Sequence, residues 1–388
     1  MSTDTSSTDT NSAAASATDG SSAAPNVSAD TSRDGIVGMI TAPVAGTGGE
    51  SAGAGAGDPS AVNAPSATPA GPSNLQPWEQ KRAALLQIIG RPAVALDATE
   101  TALPDDAGLT VRDFSIATDA STRINGTSFA PKTEGPLPTV IFLHGTGGAR
   151  QDGFGLMRTL AQKGFLALAI DARHHGSGVA QNAYFNAIYQ AYVTGEGHPF
   201  LYDTVWDVMR LLDYLVQRPD VDASRIGLVG SSKGGMETYL SAAIEPRIAV
   251  AVPWISVESF AWALDNNQWQ ARVGSIQGAF DQAAAHDGVP IDANFVRQFY
   301  ARVVPGITAE FDGPEMVAAI SPRPLLSVNG EFDPRTPKGG LDLCEASARA
   351  AYADVPDRFE LYIEPNTGHA VTAEATARTV DWLVQWLE

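Results

Sequence analysis

Ile226-Gly227-Leu228-Val229-Gly230-Ser231-Ser232-Lys233-Gly234-Gly235 is the stretch on which the fold turns. A short apolar run reads as a buried strand. It passes directly into Gly-x-Ser-x-Gly and then into a helical pattern over 233–244. Strand, sharp turn and helix in that order make a nucleophile elbow, in which the turn lifts a serine hydroxyl clear of the sheet and the small flanking residues let strand and helix approach. The frame selects Ser232, which has glycine two residues away on each side, whereas Ser231 stands one step early. The helix beginning there points free N–H groups and the positive end of its dipole at the same spot.

Outward from this elbow, strand and helix patterns alternate. Strands are expected at 111–117 and 123–129, antiparallel around Asp119-Ala120-Ser121, and at 139–143, 165–170, 226–229, 248–255, 325–328 and 359–363. Helices are expected at 78–89, closed by Gly90-Arg91-Pro92, and at 153–162, 202–216, 233–244, 339–351 and 373–387. The alternation predicts an α/β fold with a doubly wound, mostly parallel sheet. Two segments, at about 176–200 and 257–321, exceed ordinary connections and read as insertions carrying a lid or a binding surface. The second holds Phe260, Trp262, Trp269, Phe280, Phe295, Phe299 and Tyr300, which either line an acyl pocket or form the insertion's own core. Residues 1–75 are rich in Ser, Thr, Ala, Gly, Asp and Pro, with no aromatic before Trp78. That composition buries too little to offset ordering entropy, so a disordered tail is expected ahead of a catalytic domain over 76–388.

A serine hydroxyl needs a neighbouring base, usually a histidine oriented by a carboxylate. On an elbow of this kind the acid and the histidine follow the serine in chain order. Two histidines follow: His369, in a loop between the last strand and the last helix, and His286, in what reads as an exposed turn within the insertion. His369 is the expected base. Asp333 is the expected acid, with Glu331 second, because both follow the strand at 325–328. The developing oxyanion needs two N–H donors. One is expected from the backbone of Lys233. The other is expected from the loop His144-Gly145-Thr146-Gly147-Gly148, at Thr146 or alternatively at Gly147. His144 reads as a loop anchor. The Lys233 side chain either pairs with a carboxylate or reaches solvent, or else its ammonium lies at the pocket mouth and favours acyl groups with a distal carboxylate.

The formal net charge of -19 and a pI near 4.6 argue against nucleic acid and anionic membrane surfaces as partners. No apolar stretch approaches the roughly 18 residues of a membrane span. Met1–Asp30 has no Lys, no Arg and no apolar run, so no secretory signal is read and a cytoplasmic location is expected. Cys344 is the only cysteine, which excludes an intramolecular disulfide, and it reads as a core residue. His174-His175 has no third ligand in view, so neither metal nor cofactor is expected. The expected partner is a small-molecule ester.

Four stretches make the chain resemble the α/β-hydrolase superfamily over most of residues 110–388. They are the His144-Gly145 turn, Gly230–Gly235, Asp171-Ala172-Arg173-His174-His175-Gly176, and Ser321-Pro322-Arg323-Pro324-Leu325-Leu326 leading to Asp333-Pro334. The resemblance is strongest to a branch near dienelactone hydrolases, bacterial acetyl esterases and the catalytic domains of prolyl oligopeptidases. It implies Ser232, Asp333 and His369 as a triad, in agreement with the reading from the residues. Three departures stand out. Lys233 takes a place where Tyr, Gln or Met is more usual, the nucleophile is serine rather than the cysteine of a dienelactone hydrolase, and no β-propeller sequence precedes the domain. The expected activity is that of a serine carboxylesterase cleaving small to medium acyl esters through an acyl-Ser232 intermediate. The alternative is a serine peptidase or amidase of the prolyl-oligopeptidase-like type.

Overall fold

The strands that the elbow requires are β1 (Thr99–Asp106), β2 (Leu109–Ala117), β3 (Arg123–Ala130), β4 (Leu137–Leu143), β5 (Leu166–Ile170), β6 (Val221–Ser231), β7 (Val250–Trp254), β8 (Leu325–Gly330) and β9 (Phe359–Glu364). The computed structural model describes residues 77–180 and 182–388, so the tail expected over 1–75 lies outside the described residues. The strands form one sheet in the order β1-β2-β3-β5-β4-β6-β7-β8-β9. β1 to β3 and the β3–β5 pair run antiparallel, and β4 to β9 are parallel throughout.

The helices are α1 (Pro77–Ile89), α2 (Phe154–Gln162), α3 (Ala183–Thr194), α4 (Tyr202–Leu215), α5 (Lys233–Ile244), α6 (Phe260–Asp265), α7 (Gln270–Val273), α8 (Gln277–Asp287), α9 (Ala293–Val303), α10 (Gly313–Ala319), α11 (Lys338–Ala351) and α12 (Ala373–Leu387). Successive strand residues point to opposite faces, so the sheet has two cores. Val140, Phe142 and Val229 pack on one face with side chains of α2 and α12. Ile141, Leu143 and Leu228 pack on the other with α4, α5 and the long segments. β5, β7 and β8 are buried at every position, as expected of mid-sheet strands covered on both sides.

One strand was not expected. β1 reads Thr-Glu-Thr-Ala-Leu-Pro-Asp-Asp and is exposed at seven of its eight positions, so it carries no apolar period to read. It exists because it pairs with the free edge of β2.

The segment expected at 257–321 contains the five helices α6 to α10. Its aromatics resolve mainly as a core. Phe260, Phe280, Phe295, Phe299 and Tyr300 are all buried, and Phe280 stacks on Phe299 at 3.9 Å between ring centroids. Tyr192 of α3 stacks on Phe299 at 5.1 Å, so the two long segments pack on each other. Cys344 is buried in α11.

Candidate active site

Ser232 sits between β6 and α5 at φ 55° and ψ -114°. A positive φ on a residue with a side chain stores about 1–3 kcal/mol of strain, which the surroundings must hold. Its N–H donates to the Trp254 carbonyl at 2.9 Å, and its own carbonyl accepts the Met236 N–H at 3.0 Å. The flanking glycines are required by space. A methyl group on Gly230 would stand 2.2 Å from the Gly234 carbonyl oxygen, and one on Gly234 would stand 2.2 Å from that of Leu143.

His369 lies in the loop between β9 and α12, at the carboxyl edge of the sheet. Its Nε2 is 2.9 Å from Ser232 Oγ, and its Nδ1 is 2.8 Å from Asp333 Oδ2. An ionised carboxylate only accepts, so Asp333 takes the Nδ1–H and leaves the Nε2 lone pair facing the serine hydroxyl. Asp333 is buried, and the Arg335 N–H donates to its Oδ1 at 2.8 Å. Glu331 points elsewhere, accepting the Asn366 N–H at 2.9 Å. His286 is not in a turn: it lies in the last turn of α8, which Gly288 closes at φ 68°, and it faces Tyr189.

The loop after β4 forms a turn in which the Gly148 N–H donates to the Gly145 carbonyl at 3.1 Å and Gly147 takes φ 74°. The Gly147 N–H points to His175 Nε2 at 3.3 Å, which engages the alternative oxyanion donor. The N–H groups of Thr146 and Lys233 have no acceptor among the described residues. Two histidines brace this loop as neutral rings. His144 Nδ1–H donates to the Gly145 carbonyl at 2.7 Å, and its Nε2 accepts the Ala172 N–H at 3.0 Å. Burial, reinforced by the charge of Lys233, holds its pKa down to about 2. His175 donates from Nδ1 to the Arg173 carbonyl at 2.8 Å, and the same two causes lower its pKa to about 4. Arg150 grips Asp171 at 2.6 Å, while Arg173 clamps Asp207 with bonds of 2.7 and 2.6 Å. The 171–176 turn therefore braces the loop after β4, a role that lay in its contacts and not in its residue types.

Of the readings for the Lys233 side chain, pairing with a carboxylate holds and the pocket-mouth position does not. Lys233 is 1% exposed, and its Nζ bonds both oxygens of Glu237, at 2.8 and 2.9 Å. The (i, i+4) spacing puts the two on one face of α5, turned into the protein.

Two cavities meet at Ser232 and His369. One is a narrow pocket of about 20 Å³ bordered by Phe200, Met236, Phe260, Tyr300, Arg272 and Arg335. The other is an open groove of about 880 Å³ bordered by the 145–148 turn, Leu156, Phe185, Trp254, Val371 and again Arg335. Local sequence singled out neither arginine. No group of His, Cys, Asp and Glu able to hold a metal occurs among the described residues.

Sheet order, elbow and the Ser–His–Asp alignment define an α/β-hydrolase, and the chain is an enzyme of the carboxylesterase type. Residues 115–355 match the family described as "Glucuronyl esterase, fungi", and the chain belongs to that family. YtaP of Bacillus subtilis (strain 168), described as a hydrolase, is 28% identical over 286 residues, which is 68% of this chain and 86% of YtaP. YitV of the same organism, described as an esterase, is 24% identical over 254 residues, 65% of this chain and 90% of YitV. Among solved structures, acetyl xylan esterase 1 from Thermoanaerobacterium sp. JW/SL YS485 superposes with a TM-score of 0.61 at 18% identity, covering 80% of this chain and 94% of its own. Esterase relatives favour the ester over the amide reading.

Proposed function

We propose that the protein hydrolyses carboxylic esters of small to medium acyl groups through an acyl-Ser232 intermediate. Ser232 Oγ attacks the ester carbonyl while His369 Nε2 takes its proton, and Asp333 holds the imidazole in the productive tautomer and stabilises the imidazolium. The backbone N–H groups of Lys233 and Thr146 stabilise the oxyanion. As the tetrahedral species collapses, His369 protonates the departing alcohol. Water, activated by the same histidine, then attacks the acyl-serine and releases the acid. The observation that carries this reading is the Asp333–His369–Ser232 alignment, with both contacts under 3 Å at 2.8 and 2.9 Å.

The unequal cavities support a division of the substrate. The part that stays on Ser232 after the first step suits the smaller pocket, and the departing alcohol suits the open groove, where a sugar has room. An acetylated sugar hydroxyl is therefore the favoured substrate. A second reading, a glucuronoyl ester with its sugar acid in the groove, draws on the family match. The test compares kcat/KM for p-nitrophenyl acetate, p-nitrophenyl octanoate, an acetylated xylo-oligosaccharide and benzyl glucuronate. The first reading expects acetyl over octanoyl and the acetylated sugar over the glucuronate. Faster cleavage of benzyl glucuronate establishes the second. Cleavage of an aminoacyl p-nitroanilide above all four sinks both.

A further inference from the structure

The narrow pocket holds more positive charge than ester hydrolysis requires. Arg272 is 5% exposed and borders this pocket but not the groove. Its Nε is buried without a hydrogen-bond partner, and no carboxylate of the described residues comes within ion-pair distance of its guanidinium. Arg335 borders both cavities, so it stands where they meet, and its guanidinium likewise makes no ion pair among the described residues. It packs against Gly274, where a methyl group would come within 1.8 Å of Nη1. This is unusual in a chain of net charge -19, in which 25 basic residues face 44 acidic ones and most other arginines of the domain pair with carboxylates. A buried guanidinium with unused donors is costly unless something supplies the acceptors.

The surroundings do not supply them. Asp312 spends its carboxylate on Ser259 Oγ and on the N–H groups of Phe260, Ala261 and Gly313. Asp333 is committed to His369 and the Arg335 N–H. Glu258 is within electrostatic reach of Arg272, but neither of its carboxyl oxygens has a hydrogen-bond partner, and burial raises its pKa to about 8. Burial thus favours its neutral form, and it makes no ion pair with Arg272. The ring of Phe260, 4.9 Å from the guanidinium carbon, forms an apolar wall beside it.

We propose that Arg272 and Arg335 form a carboxylate-binding subsite beside Ser232, and that among acyl groups longer than acetyl the preferred one is short and carries a distal carboxylate, as in a dicarboxylic acid hemiester. The charge preference first sought in Lys233 is thereby assigned to two arginines 39 and 102 residues further along the chain. Guanidinium forks match carboxylate oxygens in geometry as well as charge. The proposal rests on the reading of Ser232 as nucleophile and on the acyl group occupying the narrow pocket.

Two measurements test it. The first is the ratio of kcat/KM for monomethyl succinate to that for methyl butyrate, followed by acid release, in wild type, Arg272→Met, Arg335→Met and Arg335→Lys, each checked by thermal melting. The wild-type ratio should exceed one. It should fall about tenfold or more in either Met variant and less in Arg335→Lys. A wild-type ratio below one, or Met variants that lower both substrates equally, overturns the proposal. The second is calorimetric titration of Ser232→Ala with succinate and with butyrate. Succinate should bind and butyrate should not, and adding Arg335→Met should abolish the succinate signal. Absence of succinate binding in Ser232→Ala overturns the subsite. Full hydrolysis of methyl butyrate by Ser232→Ala instead overturns the nucleophile assignment, so the two failures are distinguishable.

Discussion

At the scale of single residues the structure separates groups that touch the reacting atoms from groups that hold others in place. Ser232→Ala should lower ester hydrolysis on the order of a thousandfold or more with an unchanged melting temperature, and Ser231→Ala should cost far less. Steady-state kinetics on p-nitrophenyl acetate check both, and inactivity of the Ser231 variant alone would refute the frame. Lys233 now has a different prediction from the one its sequence position suggested. Breaking a buried ion pair strands the surviving charge, so Lys233→Met should destabilise the fold by about 3–5 kcal/mol, and Lys233→Met with Glu237→Met should recover most of that loss. Urea unfolding of the two variants measures it. Glu258 carries a pH dependence. Burial raises its folded pKa to about 8, above the unfolded carboxyl value, so its contribution to stability is greatest at low pH and is lost as pH rises from the unfolded value toward 8. The titratable groups facing it are Arg272, Asp312, Asp333, Tyr239 and Cys344, of which Arg272 favours its ionisation. Glu258→Gln, which keeps the shape and removes the proton, should therefore melt higher than wild type at pH 9 and close to it near pH 4. Equal melting differences at both pH values would show that Glu258 is not the titrating group.

At the scale of elements, one carboxylate ties together two helices of the long segment after β7. Asp312 caps α10 through the Gly313 N–H at 2.8 Å, and it accepts the Phe260 N–H at 2.7 Å at the start of α6. It also accepts from Ser259 Oγ at 2.6 Å, and Ser259 caps α6 by accepting the Trp262 N–H at 3.0 Å. Asp312→Ala strands these donors in a buried site and should cost on the order of 3 kcal/mol, with Asp312→Asn costing less. Because α6 carries Phe260 to the narrow pocket, the same variant should raise KM for short acyl esters more than it lowers kcat. A stability loss with an unchanged KM would place the cap outside the substrate's reach. The helices and strands of the α/β scaffold were legible in the sequence because their apolar residues recur with the period of the element, and α5 and α12 were bounded to the residue. β1 was not legible, since a strand exposed on both faces has no period and only the edge of β2 gives it a partner.

At the scale of the whole molecule the excess of acidic residues acts on stability. A formal net charge of -19 repels itself in the folded state, and added salt screens that repulsion. Melting temperature should rise between about 10 mM and 0.5 M sodium chloride, as followed by calorimetry, because the repulsion summed over the surface outweighs exposed ion pairs worth about 0–1 kcal/mol each. A falling melting temperature would show that the ion pairs dominate. No helix among the described residues is long and apolar enough to cross a membrane.

The sequence by itself determined the order and type of the scaffold's elements outside β1 and the two long segments, whose helices α3 and α6 to α10 it left unassigned, together with the elbow and its serine and the histidine and carboxylate that meet it. These are local matters: apolar period, glycine where a Cβ has no room, and a chain order imposed by where parallel strands end. The tertiary structure alone decided what each polar group faces. Gly147 and Thr146 are neighbours in the same turn, and only the approach of His175 engages one N–H and leaves the other available. For Lys233 the sequence left carboxylate pairing, solvent and the pocket mouth open, and only the packing of α5 decides for Glu237. Arg272 and Arg335 stand 63 residues apart in chain number with no motif around either, and they border one pocket because the segment after β7 folds back over the end of β8. Electrostatic partnership depends on distances across the fold, which no local period encodes.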